Sequence, residues 1–168
     1  VYVGSVVGQA GGFVSADIHS GVSGTVSGVE QMMSPSGRMV ETVIIEPDGQ
    51  QTIASLLRPP AVQDRDSFLA AVSASGLVGL GGAGFPPSVK LQPPKPEDID
   101  MLIINAAECE PFITADNREI LECGDAVMSG IMAVKKYLGI PKVAIGIERN
   151  KPEAMDLLFS LTKGDDSL

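Results

Sequence analysis

Five glycines, Gly76, Gly79, Gly81, Gly82 and Gly84, punctuate the stretch "GLVGLGGAGFPPSVK" over residues 76–90. Gly79, Gly81 and Gly84 have the spacing G-x-G-x-x-G, which in many proteins lets main chain approach a dinucleotide pyrophosphate. That chemistry needs a strand before the glycines and a helix after them, because a helix N-terminus supplies the oriented N–H groups. Both flanks predict otherwise. Upstream, "DRDSFLAAVSASG" predicts a helix capped by Asp66, with Phe68, Leu69 and Val72 on one face and Gly76 as its stop. Downstream, Pro86 and Pro87 push the residues before them out of helical geometry, so no long helix starts at Gly84. The pattern predicts an extended loop whose bare main chain admits a flat or phosphorylated ligand at close range. Its apolar residues, Leu77, Val78, Leu80, Ala83 and Phe85, weigh against a flexible linker. Lys90 is the cation nearest the loop and the natural partner for phosphate. Phe85 reads equally as an aromatic ligand platform or a core residue.

A second cluster follows a short apolar run. Asn105-Ala106-Ala107-Glu108-Cys109-Glu110-Pro111 places one amide and two carboxylates where the chain leaves "DMLII", residues 100–104. Asn105 both donates and accepts, which suits a heterocycle edge, while Glu108 and Glu110 accept from ribose hydroxyls or a carboxamide. The plainer alternative for Glu108 is a helix cap or a solvated charge.

The elements that must position these groups fall into two parts. Residues 1–60 read as short strands, rich in Val, Ile and Thr and broken by Gly, Ser and Asp turns, and so as a small β-module. The echo between Val3-Gly4-Ser5-Val6 and Ser23-Gly24-Thr25-Val26 resembles the barrel-sandwich hybrid of biotinyl and lipoyl domains. A swinging-arm role fails there, since no lysine precedes Lys90. His19, alone in its turn, has no companion for metal binding. Residues 61–168 predict α/β alternation. "DMLII" reads as a strand buried on both faces of a parallel sheet. A helix then starts with Asp116 as cap and Glu119 reaching back, breaks near Gly124 and ends at Gly139. "VAIGIE" forms the next strand, and a helix capped by Asn150 carries Pro152 in its first turn. Ligands of such sheets sit beyond the C-terminal strand ends.

Composition bounds the function classes. The chain of 168 residues carries a net charge of −9, 44% hydrophobic and 20% charged residues. That balance predicts a folded acidic protein and argues against nucleic acid or an anionic lipid surface as main partner. No apolar run approaches a bilayer span, and the start at Val1 without Met reads as a trimmed chain. Cys109, Cys123 and His19 are too few for a zinc or iron–sulfur site, and the cysteine usage fits a reducing compartment.

"GLVGLGGAGFPPSVKL", "IINAAECEPFITADNRE" and "VAIGIERNKPEA" together resemble the C subunits of Rnf-type ferredoxin:NAD oxidoreductases, membrane-associated complexes that couple electron transfer to ion pumping. The same blocks are similar to the NADH-binding flavoprotein subunit of respiratory complex I, and "GGFVSADIHSGVSGTV" matches the β-module preceding the flavin domain in the Rnf subunit. The resemblance implies a barrel-sandwich module over 1–60 and an incomplete Rossmann-like flavin domain over 61–168. It implies that Gly79, Gly81, Gly82 and Gly84 line FMN, that Asn105 and Glu108 bond the flavin or its ribityl chain, and that Lys90 lies near phosphate. By the same resemblance Phe85 stacks on the NAD adenine, Glu110 orients the nicotinamide or ribose, and Glu148 is a weaker transfer. Two 4Fe-4S clusters belong to a cysteine-rich segment beyond this stretch. The implied partners are NADH and the other Rnf subunits, with attachment to the cytoplasmic face of the bacterial inner membrane through protein neighbours. The sequence departs from the complex I pattern at Val78, Leu80 and Ala107, which stand where arginines and an acid are found, so fewer phosphate contacts are expected. Two other readings compete: a flavin-free docking or quinone-binding scaffold of a sodium-pumping complex, and an ordinary soluble FMN reductase.

Overall fold

The computed structural model describes residues 1–81 and 83–165, and the chain divides into two compact units, residues 1–92 and a second beginning at Pro93. In the first, β1 (Val6–Gly8) pairs antiparallel with β2 (Ile18–His19), joining Val6 to His19 and Gly8 to Ile18. The hairpin of β3 (Gly24–Met33) and β4 (Met39–Pro47) runs in register from Gly24 opposite Pro47 to Met33 opposite Met39, with a bulge between Val26 and Gly28. Its turn is closed by the Ser34 N–H to the Arg38 carbonyl at 2.8 Å, with Gly37 supplying the positive φ that the reversal requires.

Hydrogen bonds anchor the base of this module. The fully buried Ser23 hydroxyl donates to Asp48 Oδ1 at 2.6 Å and accepts from the Thr52 N–H at 2.9 Å, tying the start of β3 to the chain after β4. Helix α1 (Arg65–Ala74) follows in the same unit. Asp64, not Asp66, is its cap. The Asp64 carboxylate accepts from the Ser67 N–H at 2.9 Å while Ser67 Oγ accepts from the Asp64 N–H at 3.0 Å, a reciprocal pair that Asp66, already inside the first turn, cannot make. The helix ends at Ser75 and Gly76, and only the single turn of α2 (Pro87–Lys90) forms beyond the glycine loop, as the two prolines predict.

The second unit opens with a 3₁₀ turn at Pro96–Asp98 and contains β5 (Met101–Ala106), α3 (Ala115–Leu138), β6 (Lys142–Ile147) and α4 (Pro152–Thr162). The strands are parallel and paired in step from Met101 opposite Lys142 to Ala106 opposite Ile147. The buried core is formed by Ala106, Ile120, Met128, Ile131, Val143, Ala154 and Leu158, from both strands and both helices. The expected burial of β5 on both faces is not what forms. Leu102, Ile104 and Ala106 pack inward, whereas Ile103 is 69% exposed, because α3 and α4 cover only the face carrying the even-numbered residues. Helix α3 carries the expected break, at Cys123 (φ −128°, ψ 26°), next to Gly124, where a side chain would press on Leu157 and Leu161 of α4. It stops at Gly139, whose φ of +69° is the left-handed conformation that suits glycine at a helix end.

Two further caps differ from expectation. Thr114 and Lys151 occupy the cap positions of α3 and α4, in place of Asp116 and Asn150, and neither makes a side-chain cap bond. The α3 N-terminus is satisfied instead by Glu108, and Pro152 fills the first turn of α4.

Candidate functional site

The glycine loop belongs wholly to the first unit. Gly76, at φ +69°, turns the chain off α1, and the Gly79 N–H donates to the Phe85 carbonyl at 2.9 Å, pinning the loop at its neck. Between these anchors a Cβ at Gly81 or Gly84 would meet nothing within 4 Å, and Gly84 takes φ +61°. Leu80 is 94% exposed. Gly82 lies outside the described residues. The result is a loop of accessible main chain with little side-chain cover. Phe85 is 45% exposed at the neck, Pro86 and Ser88 are buried beneath it, and Lys90 is exposed at the end of α2, without an ion pair among the described residues.

The loop also borders an open cavity of about 550 Å³, within the usual range for small-molecule sites. Its opposite wall is Val14–His19, running into β2. His19 fixes that wall: its ring nitrogens lie 3.2 Å from the Gly4 carbonyl and 3.1 Å from the Ala74 carbonyl at the end of α1. A side chain at Gly76 would collide with the Asp17 carbonyl and the His19 ring, so the glycine permits this close approach. His19 is a structural tie with no signature in the sequence, since its partners are main-chain carbonyls.

In the second unit the parallel register brings the C-terminal ends of β5 and β6 to one edge, so Asn105 through Glu110 and Glu148 gather there. Asn105 is exposed and its Oδ1 accepts from the Ala107 N–H at 3.2 Å, a turn that bends the chain away from the strand. A cavity of about 180 Å³ at this edge is lined in part by Asn105, Asp116, Glu119 and Ile120. Glu110 is exposed, and its carbonyl accepts from the Ile113 N–H. Glu148 is half-buried directly after β6.

Glu108 points inward. Its Oε1 accepts from the Asp116 N–H at 2.8 Å and its Oε2 meets Lys151 Nζ at 3.1 Å, with side chains only 2% and 16% exposed respectively. Burial pushes the carboxyl upward, but hydrogen bonds from Lys151 and the N–H groups of Asp116 and Asn117, with the Lys151 charge, outweigh it and hold the group below its ordinary value. Thus Glu108 fills the plainer role of a helix cap, at α3, and clasps the start of α4 as well. Phe112, which carries no signal in the sequence, is fully exposed with φ +67°. A bulky residue in that conformation carries local strain, a feature concentrated at functional loops. Among the described residues no group of three or more His, Cys, Asp or Glu side chains is arranged to hold a metal, and no helix is long and apolar enough to cross a membrane.

The glycine loop of the first unit and the polar turn after β5 in the second both fall within the residues matched by one family model. Residues 72–167 match the Nuo51 FMN-binding domain model, and residues 1–50 match the RnfC barrel sandwich hybrid domain. The chain is 39% identical over 171 residues to the C subunit of the Na(+)-translocating ferredoxin:NAD(+) oxidoreductase complex of Acetobacterium woodii, covering all of this chain and 39% of that protein. It is 34% identical to the proton-translocating counterpart of Clostridium ljungdahlii, over 96% of this chain and 36% of the relative. The C subunit of the ion-translocating oxidoreductase complex of Pectobacterium atrosepticum shares 43% identity over 89% of this chain and 22% of its own length. The chain belongs to the family of C subunits of Rnf-type ion-translocating oxidoreductase complexes, and spans about two-fifths or less of these relatives.

Proposed function

We propose that the chain holds FMN and NAD(H) within the C subunit of an ion-translocating ferredoxin:NAD oxidoreductase, where a barrel-sandwich β-module ending near residue 60 leads into a Rossmann-like flavin domain. The observation that carries this reading is the open main chain at Gly81 and Gly84, above a neck pinned by Gly79 and Phe85. A planar ring or a phosphate can lie directly on such main chain, where any Cβ would occupy the ligand's space. The space above these glycines, which a Cβ would fill, is what supports FMN here.

Gly79, Gly81 and Gly84 line the flavin, with Gly82 assigned the same role from sequence, and Lys90 supplies charge toward phosphate. Family likeness assigns Asn105 to bonding the flavin or its ribityl chain. Glu108, its oxygens engaged by Asp116 and Lys151, contributes by fixing the turn that carries its neighbours. Phe85 stacks on the adenine, Glu110 orients the nicotinamide or ribose, and Glu148 is a weaker assignment to the cofactor site. FMN, when bound, supplies the conversion between two-electron exchange with nicotinamide and one-electron exchange with iron–sulfur clusters, which lie outside these residues. No side chain here is needed as a general acid or base; the chain binds, orients and shields. Its place is peripheral, on the cytoplasmic side of the membrane, held by neighbouring subunits.

The test is the protein purified in its complex. Denaturation releases stoichiometric FMN if the reading holds, and a colourless protein that oxidises no NADH contradicts it and favours the scaffold alternative.

A further inference from the structure

The tip of the turn after β5 is apolar and open to water. Pro111, Phe112 and Ile113 are all exposed, Phe112 fully and Ile113 at 47%. The Ile113 N–H donates to the Glu110 carbonyl at 3.3 Å, so Pro111 and Phe112 are the two central residues of a reverse turn. Proline followed by a residue of positive φ is the type II pattern, whose third position normally goes to glycine or asparagine because a bulky side chain crowds its own main chain there. Phe112 holds that position at φ +67°. Among the described residues no packing of the ring offsets the strain: it has no share in the hydrophobic core and lines neither cavity described above. Yet its footing is firm, since buried Glu108 ties the root of the turn to α3 and α4. A strained aromatic ring on a fixed base, without internal contacts, has what an interface anchor needs.

Charge indicates what kind of surface receives it. Beyond Glu110, assigned above to the nucleotide, Asp116 and Glu119 follow the tip in the first turns of α3, both exposed and neither in an ion pair among the described residues. The one cation between Glu110 and Glu119 in the chain is Arg118, and Glu122 engages it. An apolar tip is thus flanked by charge of one sign. We infer that Phe112 anchors the chain to a neighbouring protein subunit of its complex, entering an apolar pocket whose rim carries lysine or arginine. The inference rests on the place in a complex given under Proposed function and is independent of the flavin. The ring supplies buried area, and the carboxylates steer and orient the encounter.

The experiment measures how firmly the full-length subunit is retained in its complex on washed membranes, for wild type, Phe112→Gly and Phe112→Tyr. Glycine suits the backbone and removes the ring, so Phe112→Gly keeps or raises the Tm of the purified subunit while its retention falls about tenfold or more. Phe112→Tyr is retained like wild type. Independently of the ring, Asp116→Lys weakens retention and flattens its dependence on salt. Retention of Phe112→Gly equal to wild type overturns the anchor, as does a fall in its Tm, which would make the ring structural. Loss of FMN or of NADH oxidation from a Phe112→Gly subunit that stays in the complex assigns the ring to a ligand and overturns the anchor too. Binding of the purified subunit to protein-free vesicles of phosphatidylcholine and phosphatidylglycerol, lost in Phe112→Gly, overturns the protein pocket in favour of lipid. Wild type that needs Phe112 for assembly but holds no FMN overturns the flavin reading and supports the anchor.

Discussion

The Glu108 carboxylate and the Lys151 ammonium meet 3.1 Å apart, joining the turn after β5 to the start of α4 while the other carboxylate oxygen caps α3. One buried acid thus fixes three elements. Removing one partner of a buried pair leaves the other charge without compensation, which costs far more than removing a solvated charge. Lys151→Met therefore lowers the Tm clearly more than Lys142→Met, at an exposed position on β6. Equal effects in thermal melts would show that the pair contributes nothing to stability.

The same group sets an acid limit. Because the folded-state pKa of Glu108 is lowered from its ordinary 4.5, its contribution to stability is full above that value and is lost as pH falls through the folded-state value. Urea melts should show wild type losing stability below about pH 4.5. Glu108→Gln, already lacking the charge, should lose less over the same range. Parallel curves for the two proteins would remove Glu108 as the cause.

Gly76→Ala tests the contact between the β-module and α1. The positive φ alone costs a side chain about 1–2 kcal/mol, and the added Cβ would also strike the Asp17 carbonyl and the His19 ring. A loss of more than about 2 kcal/mol in chemical denaturation is expected. A loss below about 1 kcal/mol would mean that residues 14–19 are not held against the helix end.

Ser23→Ala probes the polar anchor of the β-module. It strands the Thr52 N–H and removes the Asp48 partner, at a cost of about 1–3 kcal/mol. Ser27→Ala, at an exposed hydroxyl on β3, is the control and should be near neutral.

Glu110→Gln separates the two ligands. An exposed carboxylate assigned to the nicotinamide or ribose should matter for NADH and not for flavin retention. The expected result is a fall of about tenfold in kcat/KM for NADH with FMN content unchanged. Equal loss of both would contradict the assignment.

Much of this organisation is legible in the sequence because it rests on local chemistry. Two prolines after Phe85 exclude a long helix there, Gly139 and Pro141 end α3, and the weak point near Gly124 appears as the non-helical Cys123. The caps are not legible, because several polar residues compete near each helix start. Asp64 prevails over Asp66 through its reciprocal bonds with Ser67, and Glu108 reaches Asp116 across eight residues, a relationship only the folded turn creates. The outward face of β5 escapes sequence reading because an all-apolar run does not say how many of its faces the helices cover. His19 is silent for a related reason, since both its partners are carbonyls that any residue could supply.

The central claim is that bare main chain in the glycine loop receives the flavin, and Gly81→Val tests it most directly. A Cβ at Gly81 would meet nothing within 4 Å, so the substitution should leave the Tm of the flavin-free protein unchanged. FMN released on denaturation of the purified complex should fall by about tenfold or more, as a branched side chain fills the ligand's place. Wild-type FMN content in Gly81→Val would contradict the account.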